Sequence, residues 1–256
     1  MAACPILLFT DFGFTGPYMG MMKAAIWNIA PGAPIIDLMH DAPVFDPTAA
    51  GQLLSAMLPF TPSNSIIVAV IDPGVGGKRR AIIRKTSYNK QTRWLVGPDN
   101  GLLDPACANS DAIIEEWTLD TTSPHIAPTF HGRDVFASAA ATLALGQKPK
   151  TASPAPTPGL SPPRSCNRVI YFDAYGNAMT DVDPQNTSKA AIIRTRNQDI
   201  QYARIFSDVP ANAAFWYVNS IGLVELAVNR GNVRDALKLQ LGASVHITGP
   251  AKNITL

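Results

Sequence analysis

Six prolines stand between Pro149 and Pro163, among Ser, Thr, Ala and Gly. No helix or central strand runs through such a segment, because every proline removes a backbone donor and fixes φ. The segment therefore reads as an extended connector. It divides the 256 residues into a first domain over 1–150, a linker over 151–164 and a second domain over 165–256. Each of the two domains is long enough to bury a core of its own.

The first part alternates between apolar runs and helical stretches. Pro5 to Phe9 ends in a Gly-containing turn, and a helix is expected from Tyr18 to Ile29, stopped by Pro31 and Gly32. Strands follow at Ile35 to Met39, Ile66 to Ile71 and Trp94 to Val96, with helices near Thr48 to Leu58 and Asp134 to Leu145. Such alternation predicts an α/β domain, a mostly parallel sheet with flanking helices. Beyond the linker, short apolar runs at Arg168 to Phe172, Ala190 to Thr195, Phe215 to Val218, Leu223 to Val228 and Ser244 to Thr248 are separated by turn residues. They predict a small all-β barrel or sandwich.

Composition excludes several classes of function. The net charge is +2, from 21 Lys and Arg against 19 Asp and Glu, and Lys78-Arg79-Arg80 is the one compact basic cluster, so no nucleic-acid partner is expected. No stretch approaches the roughly 20 apolar residues that cross a membrane. Cys4, Cys107 and Cys166 are odd in number and far apart, which argues against a disulfide framework and against CxxC metal chemistry. The opening MAACPILLFTDFG lacks the basic flank and cleavage site of a secretory signal, so a cytoplasmic location is expected and the sequons at Asn186 and Asn253 carry no weight.

In a wound α/β sheet, ligands sit at the carboxyl ends of the strands. Four junctions there are rich in polar residues: Thr10-Asp11-Phe12-Gly13, Asp72-Pro73-Gly74-Val75-Gly76, Gly97-Pro98-Asp99-Asn100-Gly101 and Thr129-Phe130-His131-Gly132-Arg133-Asp134. Taken singly, each is what turns and helix caps are made of; taken together, they mark one end of one sheet. Nucleotide-loop, GxSxG and HExxH patterns are absent. Asp11, Asp72, Asp99 and His131 are ordinary metal-ligand types, so a metal-dependent hydrolase stands as a rival reading.

The motifs TDFG (10–13), PYMG (17–20), DPGVGGKRR (72–80), GPDNGL (97–102), TFHGRDVFA (129–137), FDAYGN (172–177) and VNSIGLVELAVNRGN (218–232) occur in an order that resembles the S-adenosyl-L-methionine hydroxide adenosyltransferases, or SAM hydrolases, relatives of fluorinase and chlorinase. The resemblance spans nearly the whole chain. It implies cleavage of S-adenosylmethionine by water to adenosine and L-methionine, with no cofactor, in a homotrimer whose sites lie between subunits. It further implies a catalytic set of Asp72, Arg79 and His131, with Asp11 on the ribose hydroxyls and Phe45 and Phe130 beside the substrate. Asp173 and Ser220 are matched to the methionine amine and carboxylate, Asn177 and the Arg230 main chain to the adenine edge, and Tyr175 to a ring that stacks on adenine.

A sulfonium leaves as a neutral thioether, so attack at C5′ needs alignment more than a metal or an acid. On this reading Asp72 and His131 jointly orient the water and share its proton while Arg79 holds the carboxylate. The halogenase branch is disfavoured because Asp72 and Gly132 stand where a Tyr and a halide-contacting Ser are expected, and because the stretch from Arg80 to Trp94 is short. An anionic carboxylate repels a halide. A binding module that senses S-adenosylmethionine without turning it over is the remaining alternative. Gly16 and Asp181 depart from the family pattern, which expects Asp and Asn there; either change bears on the grip on methionine.

Overall fold

A computed structural model describes residues 4–157, 165–196 and 198–249. The backbone divides into two compact units, Met1–Pro163 and Arg164–Leu256. Linker residues 158–164 lie outside the described residues.

The first unit runs β1 (Ile6–Thr10), α1 (Tyr18–Ile29), β2 (Ile35–Met39), α2 (Pro47–Met57), β3 (Ile66–Val70), β4 (Ala81–Tyr88), β5 (Gln91–Pro98), α3 (Asp104–Ala108), β6 (Ala112–Leu119), a π-helical turn (Gly132–Ala137), α4 (Ser138–Ala144) and β7 (Ala152–Ala155). The sheet order is β2-β1-β3-β5-β4-β6-β7. Its first four strands are parallel, and β4, β6 and β7 continue it antiparallel.

Burial on both faces explains the unbroken apolar runs of β1 and β3. Ile6, Leu8, Ile66, Val68 and Val70 face a core shared with Met22 and Ile26 of α1 and Ala140 and Ala141 of α4. The alternate residues Leu7, Phe9, Ile67 and Ala69 face a second core with Ala50 and Leu54 of α2 and Ala106 and Cys107 of α3. Helix α2 starts where expected because Asp46 caps it, its carboxylate accepting the Ala49 N–H at 2.9 Å, with Pro47 as the first residue.

The antiparallel half extends beyond the expected strands. β4 and β5 form a hairpin whose turn residues Asn89 and Lys90 both have positive φ, the geometry a two-residue turn requires. The charges of β4 mask it in sequence, yet Arg84 is buried, its Nε donating to Glu116 Oε2 of β6 at 2.7 Å. The linker also begins later than 151, since Ala152–Ala155 pairs with β6 as the sheet's edge, where Pro154 is tolerated.

The second unit contains β8 (Val169–Phe172), β9 (Ala178–Thr180), β10 (Ile192–Thr195), β11 (Gln198–Tyr202), β12 (Ala214–Val218), β13 (Val224–Val228), the short α5 (Val233–Ala236) and β14 (His246–Thr248). Its order is β14-β10-β11-β12-β13-β9-β8. The sheet curls until its ends meet: Arg168 bridges Ser244, and the Val245 N–H donates to Asn167 O at 2.7 Å. Trp216, fully buried, fills the interior with Ile193, Val224 and Leu226. Of the barrel and the sandwich expected here, the curled, nearly closed sheet corresponds to the barrel.

Candidate active site

The parallel strands deliver three loops to one end of the first sheet: Asp11 follows β1, Asp72 follows β3, and Asp99 follows β5. His131 immediately precedes the π-helical turn. The loop after β3 folds back on itself, with the Val75 N–H donating to Asp72 O at 3.2 Å and Gly77 N–H to Gly74 O at 3.0 Å. This return brings Arg79 alongside Asp72.

Arg79 Nε lies 3.0 Å from both carboxylate oxygens of Asp72, and Nη2 donates to Oδ2. The same Nη2 lies 2.9 Å from His131 Nδ1. A guanidinium is only a donor, so Nδ1 must accept, and the neutral ring carries its proton on Nε2. Arg79 therefore bridges the carboxylate and the imidazole. The side chains of Asp72 and Arg79 are 4% and 10% exposed, and His131 is also buried. Burial, and then the charge of Arg79, hold the His131 pKa below its ordinary 6.5, against the opposing pull of Asp72 and Asp134. Arg79 lies over the Phe136 ring at 5.4 Å, and its Nη1 is a buried donor with no hydrogen-bond partner among the described residues.

Asp11 stands at the mouth of the same end. Burial raises its pKa, the negative charge of Asp72 adds to that, and the Phe45 N–H, at 3.2 Å from Oδ2, opposes it. Phe45 is exposed and has positive φ, and the contact to Asp11 holds its main chain there. Phe130 is packed instead among Tyr18 and Phe12, at ring centroid distances of 5.3 and 6.0 Å. It shapes the wall beside His131.

Asp99 is held by other cations, Arg80 Nη2 to Oδ2 at 2.7 Å and Arg84 Nη2 to Oδ1 at 3.6 Å. With Asp72 committed to Arg79, the carboxylates of the metal reading are dispersed; among the described residues no group of three or more His, Cys, Asp and Glu is placed to hold a metal ion.

In the second unit a cleft of about 830 Å3 is lined by Asp173, Tyr175, Asn177, Ser220 and Arg230, all five of the residues singled out there from sequence. Asp173 organises the β8–β9 turn: Oδ1 accepts from the N–H groups of Tyr175 (2.9 Å) and Asn177 (2.8 Å), and Oδ2 from Asn177 Nδ2 (2.9 Å). Tyr175 is 78% exposed and lines the cleft.

Sequence reasoning missed Tyr217, Asn219 and Glu225, which also line the cleft. Glu225 is buried and accepts from the Tyr217 hydroxyl and, at 2.7 Å, from Asn219 Nδ2. Burial pushes its pKa up, with Asp173 adding to the effect and these two hydrogen bonds opposing it. A signal was available: Glu225 interrupts the apolar run Val224–Val228, and a carboxylate in such a run is rarely buried unless it is paired. Asp181, by contrast, lies outside the cleft lining; its oxygens accept from Cys166 N–H (2.9 Å) and Arg168 N–H (2.7 Å), which secures the entry into β8. The Asp at this position is thus accounted for by backbone anchoring. Gly16 lies in an exposed loop with positive φ.

An α/β unit with a bridged acid, guanidinium and imidazole at its strand ends, followed by a curled β unit with an aromatic, carboxylate-lined cleft, defines a two-domain enzyme acting on a small polar molecule. The chain belongs to the SAM hydroxide adenosyltransferase family: the family's N-terminal domain matches residues 6–153 and its C-terminal domain residues 167–246. It is similar to the (R)-S-adenosyl-L-methionine hydrolase of Thermus thermophilus, 35% identical over 95% of this chain and 99% of that protein. The hydrolase of the same name from Salinispora arenicola is 35% identical over 97% and 99%. A fluorinase from Actinopolyspora mzabensis is more distant, 21% identical over 95% and 97%. Among solved structures, an uncharacterised conserved protein from Thermotoga maritima superimposes with a TM-score of 0.81 at 27% identity, over 95% of this chain and all of that one. Among the described residues no helix is long and apolar enough to cross a membrane.

Proposed function

We propose that the chain hydrolyses S-adenosyl-L-methionine to adenosine and L-methionine by attack of water on C5′. The observation that carries this reading is the buried contact of Asp72, Arg79 and His131 at the carboxyl end of the parallel strands. Water adds its oxygen to C5′, the C5′–S bond breaks, its electron pair stays on sulfur, and methionine departs uncharged. One proton is left over and must be taken from the attacking oxygen. The sulfonium leaving group asks for no acid and no Lewis acid, so the proposal includes no metal and no cofactor.

The geometry divides the labour among the three side chains. His131 Nδ1 is occupied by Arg79, so the imidazole acts as a donor through Nε2 and Asp72 is the acceptor for the water proton. The buried Arg79 Nη1, without a partner among the described residues, supplies a further donor to the nucleophilic oxygen. In the other unit, the exposed Tyr175 ring supports stacking on adenine, Asn177 and the Arg230 main chain the adenine edge, and Asp173 and Ser220 the methionine amine and carboxylate. Asp11 and the Phe45 ring would take the ribose, with Phe130 behind them. A homotrimer with sites shared between subunits is part of the same proposal.

Purified protein incubated with S-adenosylmethionine, a chelator and chloride is expected to release adenosine and methionine in equal amounts. Formation of 5′-chloro-5′-deoxyadenosine would move the chain to the halogenase branch, loss of activity with chelator to a metal enzyme, and intact substrate to a sensor.

A pH dependence follows from His131. Its pKa is depressed by burial and by Arg79, so the ring stays neutral below pH 6.5, and the acid limb it sets in kcat/KM is expected below that value. The unfolded chain takes up this proton near its ordinary 6.5 while the folded chain does not, so stability is lost as pH falls from 6.5 through the folded pKa. A His131-dependent limb above pH 7, read by comparing wild type with His131→Gln, would contradict the lowering of its pKa by burial and Arg79.

A further inference from the structure

A second histidine lies beside the site and has no part in the chemistry above. His40, just past β2, is buried, and both ring nitrogens are engaged: Nδ1 lies 3.1 Å from Thr10 Oγ1 and Nε2 lies 2.9 Å from Asp37 Oδ1. Asp37 in turn accepts from Lys23 Nζ at 2.7 Å, at the surface. Thr10, with no exposed surface, is the last residue of β1 and directly precedes Asp11.

The main chain around His40 stitches together the two loops that carry the ribose-side residues. Gly13 N–H donates to His40 O at 2.6 Å, Ala42 N–H to Thr10 O at 3.1 Å, and Phe12 N–H to Thr10 Oγ1 at 3.3 Å. The Phe45 N–H then closes on Asp11 Oδ2. The groups facing the ring are Asp37, Thr10 and the edge-on Phe14 ring at 5.5 Å. Asp37 accepts from Nε2–H, which leaves Nδ1 as the acceptor for the Thr10 hydroxyl in the neutral ring.

We infer that His40 is a positioning residue for substrate binding: through Thr10 it fixes the backbone from which Asp11 reaches the ribose hydroxyls. A buried imidazole bonded at both nitrogens holds one orientation, and a loop bonded to it inherits that orientation. The inference rests on the proposed ribose role of Asp11 and extends it to a residue that touches neither substrate nor the reacting atoms.

The test compares binding of adenosine with that of 2′,3′-dideoxyadenosine by calorimetry, alongside KM and kcat for S-adenosylmethionine. Asp11→Ala serves as the reference. His40→Phe keeps the ring volume and removes both hydrogen bonds, while Thr10→Val keeps the side-chain shape and removes the hydroxyl. In both, the preference for adenosine is expected to shrink about tenfold and KM to rise by a similar factor, with kcat changing much less. Thr10→Ser, which restores the hydroxyl, is expected to recover the preference. The double variant His40→Phe/Thr10→Val is expected to lose little beyond Thr10→Val alone, because that change already removes the His40 contact together with the Phe12 N–H bond and the contact to Met19 Sδ at 3.5 Å.

If Asp11→Ala abolishes the preference while the folded Thr10→Val variant keeps it, His40 does not position Asp11 and the inference falls. If Asp11→Ala itself leaves the preference intact, the ribose reading fails and takes the inference with it. Thermal unfolding identifies variants that do not fold; Thr10→Val carries the comparison if His40→Phe is among them.

Discussion

Arg79→Met is expected to lower kcat by about a hundredfold to a thousandfold, the range seen when one preorganised donor is removed from an active site. KM should change far less, because Arg79 acts on the nucleophile's surroundings. The same change strands a carboxylate that is 4% exposed, and losing one partner of a buried pair costs about 3–5 kcal/mol. Urea unfolding reads that loss directly. Replacing both partners, as Arg79→Met with Asp72→Leu, is expected to recover much of the stability and none of the activity, since the stranded charge disappears with the chemistry. With the Arg79 charge gone, the His131 pKa is expected to move up from its depressed position, which the acid limb of any residual activity or the imidazole resonance in NMR would report. An Arg79→Met enzyme with wild-type kcat would exclude Arg79 from the reaction.

Gly76→Ala is expected to be the most damaging single methyl group in the first unit's site. Gly76 has φ +74, and a Cβ there would lie 2.4 Å from Pro128 O. The residue joins Asp72 and Arg79 on one side to the segment leading to His131 on the other, so the loop cannot yield without separating the bridged pair from the imidazole. A displacement near 1 Å costs about a hundredfold in rate. The strained backbone costs a further 1–3 kcal/mol, roughly, in stability. The signature is a fall in kcat together with a lowered unfolding midpoint; wild-type values of both would show that the loop is not held against Pro128.

The motifs legible in the chain are those where a strand ends in a polar loop. Asp11 and Asp72 stand at such junctions, at one end of a sheet set by the apolar runs of β1 and β3, whereas His131 stands at the start of a helical segment. Arg79 was reached only through its motif, because its contact with Asp72 depends on a loop that reverses at Gly74 to Gly77, a tertiary event with no periodic signature. The antiparallel half was masked for a related reason: Arg84 and Glu116 pair across β4 and β6 inside the fold, and in sequence each looks like a surface charge. For Glu225, set in an apolar run, and for His40, the partners are what stays hidden. The burial of both is balanced by partners 6 to 30 residues away, Asn219, Tyr217 and Thr10, which spacing alone does not reveal. Asp181 shows the converse, a motif position whose departure from the family pattern is explained by backbone anchoring outside the cleft.

The central claim is that water attacks C5′ of S-adenosylmethionine. Incubation of the wild-type protein in 18O-enriched water, followed by mass spectrometry of the products, tests it most directly. The label is expected in adenosine, on the 5′ oxygen, with none in methionine. Unlabelled adenosine, or label in an amino-acid product together with methylthioadenosine, would show that the bond broken or the atom attacked is a different one.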